Sequence, residues 1–135
     1  MLTVYLIFTG TCKEAMEFYA DCLGGKITIM RTFEESPLAV TEETKDLIFD
    51  SEIKAKDIII KASDALPENK IIEGSNFSLF LTCKAKEELQ DKYSKLSKEG
   101  KVIMPLEEAG KIKSFGMFKD KFGIQWMITL QDNSS

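Results

Sequence analysis

The sequence contains one pattern of elements twice, and this internal repeat restricts its possible folds more than any other feature. In each half, a short apolar run is followed by a helical stripe, a glycine and three further apolar runs. The second copy follows about 75 residues after the first, with a one-residue difference in helix length. The corresponding positions are Glu14 and Glu88, Tyr19 and Tyr93, and Gly25-Lys26 and Gly100-Lys101. The pattern predicts an α+β protein made of two tandem β-α-β-β-β modules.

The first module is predicted to span about residues 1–65. Its helix begins at a capping box, with Thr11 as the N-cap and Glu14 three residues later, and ends at Gly24-Gly25. Residues 33–45 are acidic and are predicted to form a surface loop, with a pocket lid as the alternative. Its β-branched and aromatic runs predict strands at Leu2–Phe8, Lys26–Met30, Leu47–Lys54 and Asp57–Ser63.

The second module is predicted to span about residues 77–130, after a connector at 66–76 and before a polar tail at 131–135. Its helix shows apolar residues at helical spacing and is predicted to stop at Gly100. The helical stripe is Ala85, Leu89, Tyr93 and Leu96, and the strands are Phe77–Thr82, Lys101–Met104, Ile112–Phe118 and Ile124–Leu130. With 135 residues, the chain is expected to form a single domain.

The repeat has a consequence for where a ligand would bind. A four-stranded sheet with one helix has only one face covered by that helix. Two such modules with their helices outside predict an incomplete barrel with a concave cavity between the sheets. Concave, mostly apolar clefts with a few polar groups are where small molecules bind.

Composition excludes several functions. The chain has no histidine, which removes Ser-His-Asp and Cys-His catalysis and the common zinc and non-haem iron sites. It carries 18 lysines and arginines against 22 aspartates and glutamates, a net charge of −4. This balance argues against nucleic-acid binding, which depends on neutralising phosphates.

Three widely spaced cysteines, Cys12, Cys22 and Cys83, form no CxxC pair and indicate free thiols in a reducing compartment. Cys12 falls in the first turn of a helix, where the helix dipole favours thiolate, although a structural thiol is the preferred interpretation. No run reaches the length of a membrane span, and the apolar start lacks the basic flank of a signal peptide. We expect a cytoplasmic protein without a membrane partner.

The paired modules and five motifs resemble the vicinal oxygen chelate superfamily, which includes glyoxalase I, extradiol dioxygenases and bleomycin-resistance proteins. Within it they are similar to the PhnB-like branch, which also carries a demethylubiquinone-methyltransferase label. The resemblance covers nearly the whole chain, and its longest motif is the most specific. The motifs are Tyr5–Tyr19, Gly24-Gly25, Ala62–Ala65, Val102–Leu106 and Phe115–Met127.

The resemblance implies where a metal would sit in related proteins. Metal-using members present four His, Glu or Gln ligands, one from the first and one from the last strand of each module. The equivalent positions here are Thr3, Ile60, Ser78 and Met127. Two hydroxyls, an alkyl group and a thioether are poor ligands for a divalent ion, so we expect neither a metal nor another cofactor. The resemblance also implies a homodimer.

Two departures from the PhnB-like pattern place any inherited substrate in doubt. Members often have His-Ala-Glu on the third strand, where this chain has Asp50-Ser51-Glu52. They also often have Trp-Gly before the last motif, where this chain has Lys111-Ile112.

The chemistry-bearing candidates lie on the strands. Asp50 and Glu52 share a strand face, where they would attract a cationic ligand or act as a base of raised pKa; a solvated face is the alternative. Alternation directs Gln125 and Met127 towards the cavity and Trp126 to the other face. The predicted ligand-pocket residues are Thr3, Tyr5, Asp50, Glu52, Ile60, Ser78, Gln125 and Met127.

These residues favour metal-independent binding of a cationic or aromatic small molecule, as in the bleomycin-resistance proteins. One alternative is a lyase, isomerase or dioxygenase-type enzyme that uses a displaced metal site or a carboxylate base. Another is a non-catalytic dimeric interaction module, and the sequence leaves open whether any reaction is catalysed. Methyl transfer finds no support, because the chain has no glycine-rich strand-to-helix loop and neither half is doubly wound.

Overall fold

The computed structural model describes residues 1–109 and 112–131, and it describes the backbone alone at 107–109 and 112–113. Its elements follow the order predicted from the repeat. They are β1 (Val4–Phe8), α1 (Cys12–Leu23), β2 (Lys26–Thr32), β3 (Ile48–Ala55), β4 (Ile58–Asp64), β5 (Leu79–Cys83), α2 (Lys86–Ser97), β6 (Lys101–Ala109), β7 (Ile112–Lys119) and β8 (Gln125–Leu130).

The chain divides into two compact units, Met1–Ile72 and Glu73–Ser135, and the division falls inside the predicted connector. The first unit holds a four-stranded sheet in the order β1-β4-β3-β2, and the second holds one in the order β5-β8-β7-β6. In each sheet the first strand runs parallel to the last, while the other neighbours are antiparallel. The prediction of an α+β repeat of β-α-β-β-β modules is therefore confirmed.

In the first unit, α1 packs against β2, β3 and β4. The strands alternate, so that every second side chain points towards this helix. Tyr19, Met16 and Cys12 of the helix are fully buried, as are Ile53 and Ala62 of the sheet. This layer is the core of the unit.

In the second unit, α2 packs against all four strands. Leu89 and Leu96 supply the buried stripe of the helix, and the Tyr93 ring meets Phe118 edge-on at 5.7 Å between centroids. Trp126 lies in this buried layer, where its indole N–H donates to Asp120 Oδ2 at 2.8 Å. This placement agrees with the prediction that Trp126 points to the face opposite to that of Gln125 and Met127.

The start of α1 differs from the prediction, because the Thr11 side chain makes no capping hydrogen bond. The first free backbone N–H of the helix, from Cys12, instead donates to Asp64 Oδ1 at 2.9 Å. The other oxygen of the buried Asp64 carboxylate accepts the Ile48 N–H, also at 2.9 Å. One carboxylate at the end of β4 therefore satisfies the first turn of α1 and the start of β3.

The two helices end in different ways, and only the first ends at a left-handed glycine. Gly24 adopts the left-handed conformation, with φ of 66°, as the predicted C-cap requires. After α2, the left-handed residue is Glu99, with φ of 61°, and not the predicted Gly100. Gly100 is needed for a close approach, since a Cβ there would collide with the Lys119 carbonyl oxygen.

Two smaller differences concern strand and loop boundaries. β6 continues past Met104 through Pro105, which an edge strand tolerates because its outer side needs no N–H donor. Phe33, predicted as the first loop residue, is buried against the Phe49 ring. Lys111 and the tail beyond residue 131 lie outside the described residues.

Among the described residues, no helix has the length and apolarity that a membrane crossing requires.

Candidate functional site

Each unit covers one face of its sheet with its own helix and presents a second face opposite that helix. We call this second face the open face of the sheet. Strand alternation and pairing place Tyr5, Lys61, Glu52 and Asp50 on the open face of the first sheet. They place Phe80, Met127, Met117 and Met104 on that of the second.

The open face of the second sheet is crossed by an unbroken apolar row. Phe80 pairs with Met127, Met127 with Met117, and Met117 with Met104, so the row contains one residue from every strand. The two ends are well exposed, with 60 % of Phe80 and 50 % of Met104 accessible. One aromatic ring and three thioethers at the same register form an adaptable apolar surface. We call these four residues the methionine row.

Polar groups border the methionine row on one side. Gln125 lies two residues before Met127 on the same face, and its amide nitrogen donates to Ser78 Oγ at 2.6 Å. Lys119 is the cross-strand partner of Gln125. The structure thus brings together three predicted site residues, Ser78, Gln125 and Met127. The polar side chains beside an apolar platform match the composition of small-molecule sites.

The open face of the first sheet carries a network of charges. Arg31 on β2 forms an ion pair with Asp50, and Lys54 lies 3.8 Å from Glu52. Lys61 on β4 lies between the two carboxylates, 3.9 Å from Asp50 and 3.7 Å from Glu52. We call these five side chains the charged cluster. With three cations and two carboxylates, it carries a net charge of +1, so the electrostatic argument for a cationic ligand fails.

The prediction that a raised pKa makes Glu52 a base is also wrong. The Thr28 hydroxyl donates to Glu52 Oε1 at 2.7 Å, and this hydrogen bond is the largest cause that holds the pKa of Glu52 below its usual value. Burial, the second largest cause, raises the pKa and offsets part of this effect, while Lys54 and Lys61 lower it further. A carboxylate of lowered pKa is a weaker proton acceptor at neutral pH.

The predicted register was wrong by one residue in β4. Ile60 is 2 % exposed and pairs with Ile53 in the layer under α1, so it is not on the open face. The residue on the open face is Lys61, which sequence reasoning missed. The strand pairing corrects the register, since Tyr5 pairs with Lys61 as Phe80 pairs with Met127. Thr3 lies immediately before β1 and is half-buried.

Cys12 is a structural thiol despite its place at a helix start. It is fully buried, and its Sγ lies 3.5 Å from Ser51 Oγ, which in turn donates to the Ala62 carbonyl. Burial raises the pKa of Cys12 to about 11, and the Ser51 hydrogen bond offsets only part of this effect. A protonated, inaccessible thiol is a poor nucleophile.

Among the side chains that the structure describes, those of residues 1–106 and 114–131, no group of three or more from His, Cys, Asp and Glu could hold a metal ion. With the corrected register, the four positions implied by the resemblance are Thr3, Lys61, Ser78 and Met127. An ammonium group repels a metal cation and is not a ligand when protonated, so this donor set does not fit a divalent ion.

A separate shallow depression of about 440 Å³ lies at the turns of the second unit. It contains none of the predicted site residues. Its lining is mixed in charge, since Glu99 and Lys121 form an ion pair there at 3.6 Å. The lining residues are Glu73, Glu99, Gly100, Lys101, Lys119, Asp120, Lys121, Phe122 and Gly123.

Comparison with known proteins places this architecture in a family. Residues 1–129 match the family model described as 3-demethylubiquinone-9 3-methyltransferase. The crystal structure of protein PA1353 from Pseudomonas aeruginosa is similar, with 32 % identity over 97 % of this chain and 98 % of that one, and a TM-score of 0.86. A PhnB protein from Bacillus cereus, described as a 3-demethylubiquinone-9 3-methyltransferase, is 26 % identical over 96 % and 98 % of the two chains, with a TM-score of 0.80.

The fold is also shared with a more distant protein. FosX from Listeria monocytogenes, a genomically encoded fosfomycin resistance protein, is 7 % identical, with a TM-score of 0.67 over 100 % of this chain and 93 % of that one. At this identity the likeness concerns the fold alone. The chain therefore belongs to the family described as 3-demethylubiquinone-9 3-methyltransferase, and the predicted similarity to the PhnB-like proteins is confirmed.

Proposed function

We propose that this protein binds a small aromatic molecule through the methionine row of its second sheet, without the help of a metal ion. The observation that carries the proposal is the row itself, an apolar strip that reaches across all four strands and ends in two exposed side chains. A contiguous apolar surface of this kind is typical of a ligand or partner contact site.

The chemistry beside the row supports binding over catalysis. Gln125 and Ser78 provide an amide and a hydroxyl, which fix the orientation of a ligand by hydrogen bonds. On the other sheet, Glu52 is ion-paired and has a lowered pKa, so it does not favour the carboxylate-base alternative. Methyl transfer does not enter the proposal, because the described strands form no doubly wound sheet around a glycine-rich loop.

The proposal is tested by ligand-induced thermal shift. A library of aromatic compounds is screened against the wild-type protein, because a ligand that binds only the folded state raises its melting temperature. The hits are then measured with Phe80→Ser, which removes the exposed ring at the end of the row. We expect this variant to bind about tenfold more weakly, since an aromatic contact contributes roughly 1 kcal/mol beyond its buried area.

Phe77→Ser is the matched control, because Phe77 is as exposed as Phe80 but lies before β5 and outside the row. It should keep wild-type affinity. The proposal is wrong if no aromatic compound stabilises the protein, or if the two serine variants lose affinity equally.

Two further expectations from the sequence stay as proposals. We propose a homodimer, supported by the exposed Val102 and Ile103 on the edge strand β6, and light scattering on the eluting protein measures its mass. We also propose a cytoplasmic location, supported by three buried free cysteines.

A further inference from the structure

The charged cluster has a sign opposite to that of the whole protein. The chain carries a net charge of −4, yet on this face three cations surround two carboxylates. The ion pairs of Arg31 with Asp50 and of Lys54 with Glu52 leave Lys61 as the surplus positive charge. Glu35 also interacts with Arg31, so Lys61 is the cation of this face that a negatively charged group would meet.

Lys61 is placed to meet a ligand. It lies on β4, an inner strand, and its side chain is 31 % exposed. Its distances of 3.9 Å to Asp50 and 3.7 Å to Glu52 exceed those of N–H···O hydrogen bonds, so these are loose ion pairs. The two carboxylates hold the ammonium group over the sheet while its protons can turn to a closer acceptor.

An apolar surface lies next to this ammonium group. Tyr5 is the cross-strand partner of Lys61 and is 47 % exposed, and Ile7 follows two residues later on the same face. A ligand that carries an acid group on a ring would pair with Lys61 and lay its ring against Tyr5. The first sheet alone supplies both contacts.

From this arrangement we infer that the open face of the first sheet binds an organic acid, a carboxylate or phosphonate with an aromatic part, whose acid group pairs with Lys61. The inference goes beyond the proposed function, which concerns the second sheet, and assigns a separate site to the first. It replaces the cationic ligand predicted from Asp50 and Glu52 alone.

The test compares four probes that share a phenyl ring and differ in charge: phenylphosphonate, phenylacetate, phenylacetamide and phenethylamine. Affinities are measured by calorimetry at low ionic strength, where charge pairing is least screened. We expect the two acids to bind more tightly than the amide, and the amine to bind most weakly. Comparison of the two acids shows which oxyanion the site prefers.

Three variants assign the effect to this lysine. Lys61→Gln should weaken acid binding about tenfold and leave the amide unchanged, as expected for loss of one charge-assisted hydrogen bond. Lys61→Arg should retain the preference for acids. Glu52→Gln removes a negative charge from the cluster and should strengthen acid binding, whereas a cation-binding site would be weakened by it.

Lys95→Gln is the matched control, because it removes the same charge from an exposed ion pair on α2. Equal affinity for acid and amide, or full acid binding by Lys61→Gln, overturns this inference and leaves the proposed function standing. If no phenyl probe binds, and the aromatic library also fails, both are overturned.

Discussion

At the residue scale, burial decides the chemistry of the cysteines. Cys12 and Cys83 are both fully buried, and for each of them burial is the largest cause of a pKa raised to about 11. The carboxylate of Glu88 raises the pKa of Cys83 further. In the sequence, the position of Cys12 at a helix start favoured a thiolate, although a structural thiol was the preferred interpretation. Desolvation outweighs the helix dipole here, because the dipole effect falls off within one turn and amounts to about 1 kcal/mol.

These raised pKa values predict how stability changes in alkali. The neutral thiol is favoured in the folded state, so the stabilisation is complete below pH 9.0, the unfolded pKa, and is lost as pH rises towards about 11. Urea unfolding at pH 8 and pH 10.5 should show a larger loss of stability for wild type than for the Cys12→Ala, Cys83→Ala double variant. Equal losses of stability in the two proteins would show that ionisation of Cys12 and Cys83 does not cause the loss in alkali.

At the element scale, neighbours in space determine where helices begin and end. The sequence around α1 has the form of a capping box, but the Thr11 side chain is not used. The buried Asp64 carboxylate takes its place from 52 residues away, and it also anchors β3. Charge-assisted bonds inside the protein are stronger than a capping bond at an exposed threonine.

This assignment predicts different costs for two substitutions at the same junction. Thr11→Ala should change the free energy of unfolding by less than about 0.5 kcal/mol, because no side-chain bond is lost. Asp64→Ala should cost about 3 kcal/mol, since two buried N–H groups lose a charged acceptor. Chemical denaturation of both variants, with Asp64→Asn as the intermediate case, measures the difference. A larger loss of stability for Thr11→Ala than for Asp64→Ala would show that the Thr11 side chain caps α1.

At the scale of the whole molecule, the repeat dictates the architecture but not the chemistry of each copy. Both units have the same strand order and the same pairing of first with last strand. At the corresponding open-face positions, however, one unit has Tyr5 and Lys61 and the other has Phe80 and Met127. The first sheet therefore presents charge and the second an apolar row.

Neither set of side chains resembles a metal site, and this predicts the response to chelators. Removal of metal with EDTA should leave the melting temperature and the affinity for aromatic ligands unchanged, because no folding energy depends on a bound ion. Elemental analysis of protein purified without chelator provides an independent measurement. A lowered melting temperature that added zinc, nickel or manganese restores would contradict the proposal.

The amino-acid sequence by itself determined the order of elements and the two-module repeat, because helical spacing, strand alternation and turn glycines are local signals. The family was identified from the resemblance of its motifs. It also directed Gln125 and Met127 to one face, and the resemblance placed Ser78 among the predicted pocket residues. Only the tertiary structure decided the sign of the charged cluster, the register of Lys61 and the partner of the α1 start. Those features arise where β2 and β4 meet β3 and where α1 meets β4, and residue spacing along one segment cannot specify which charges a neighbouring segment brings to it.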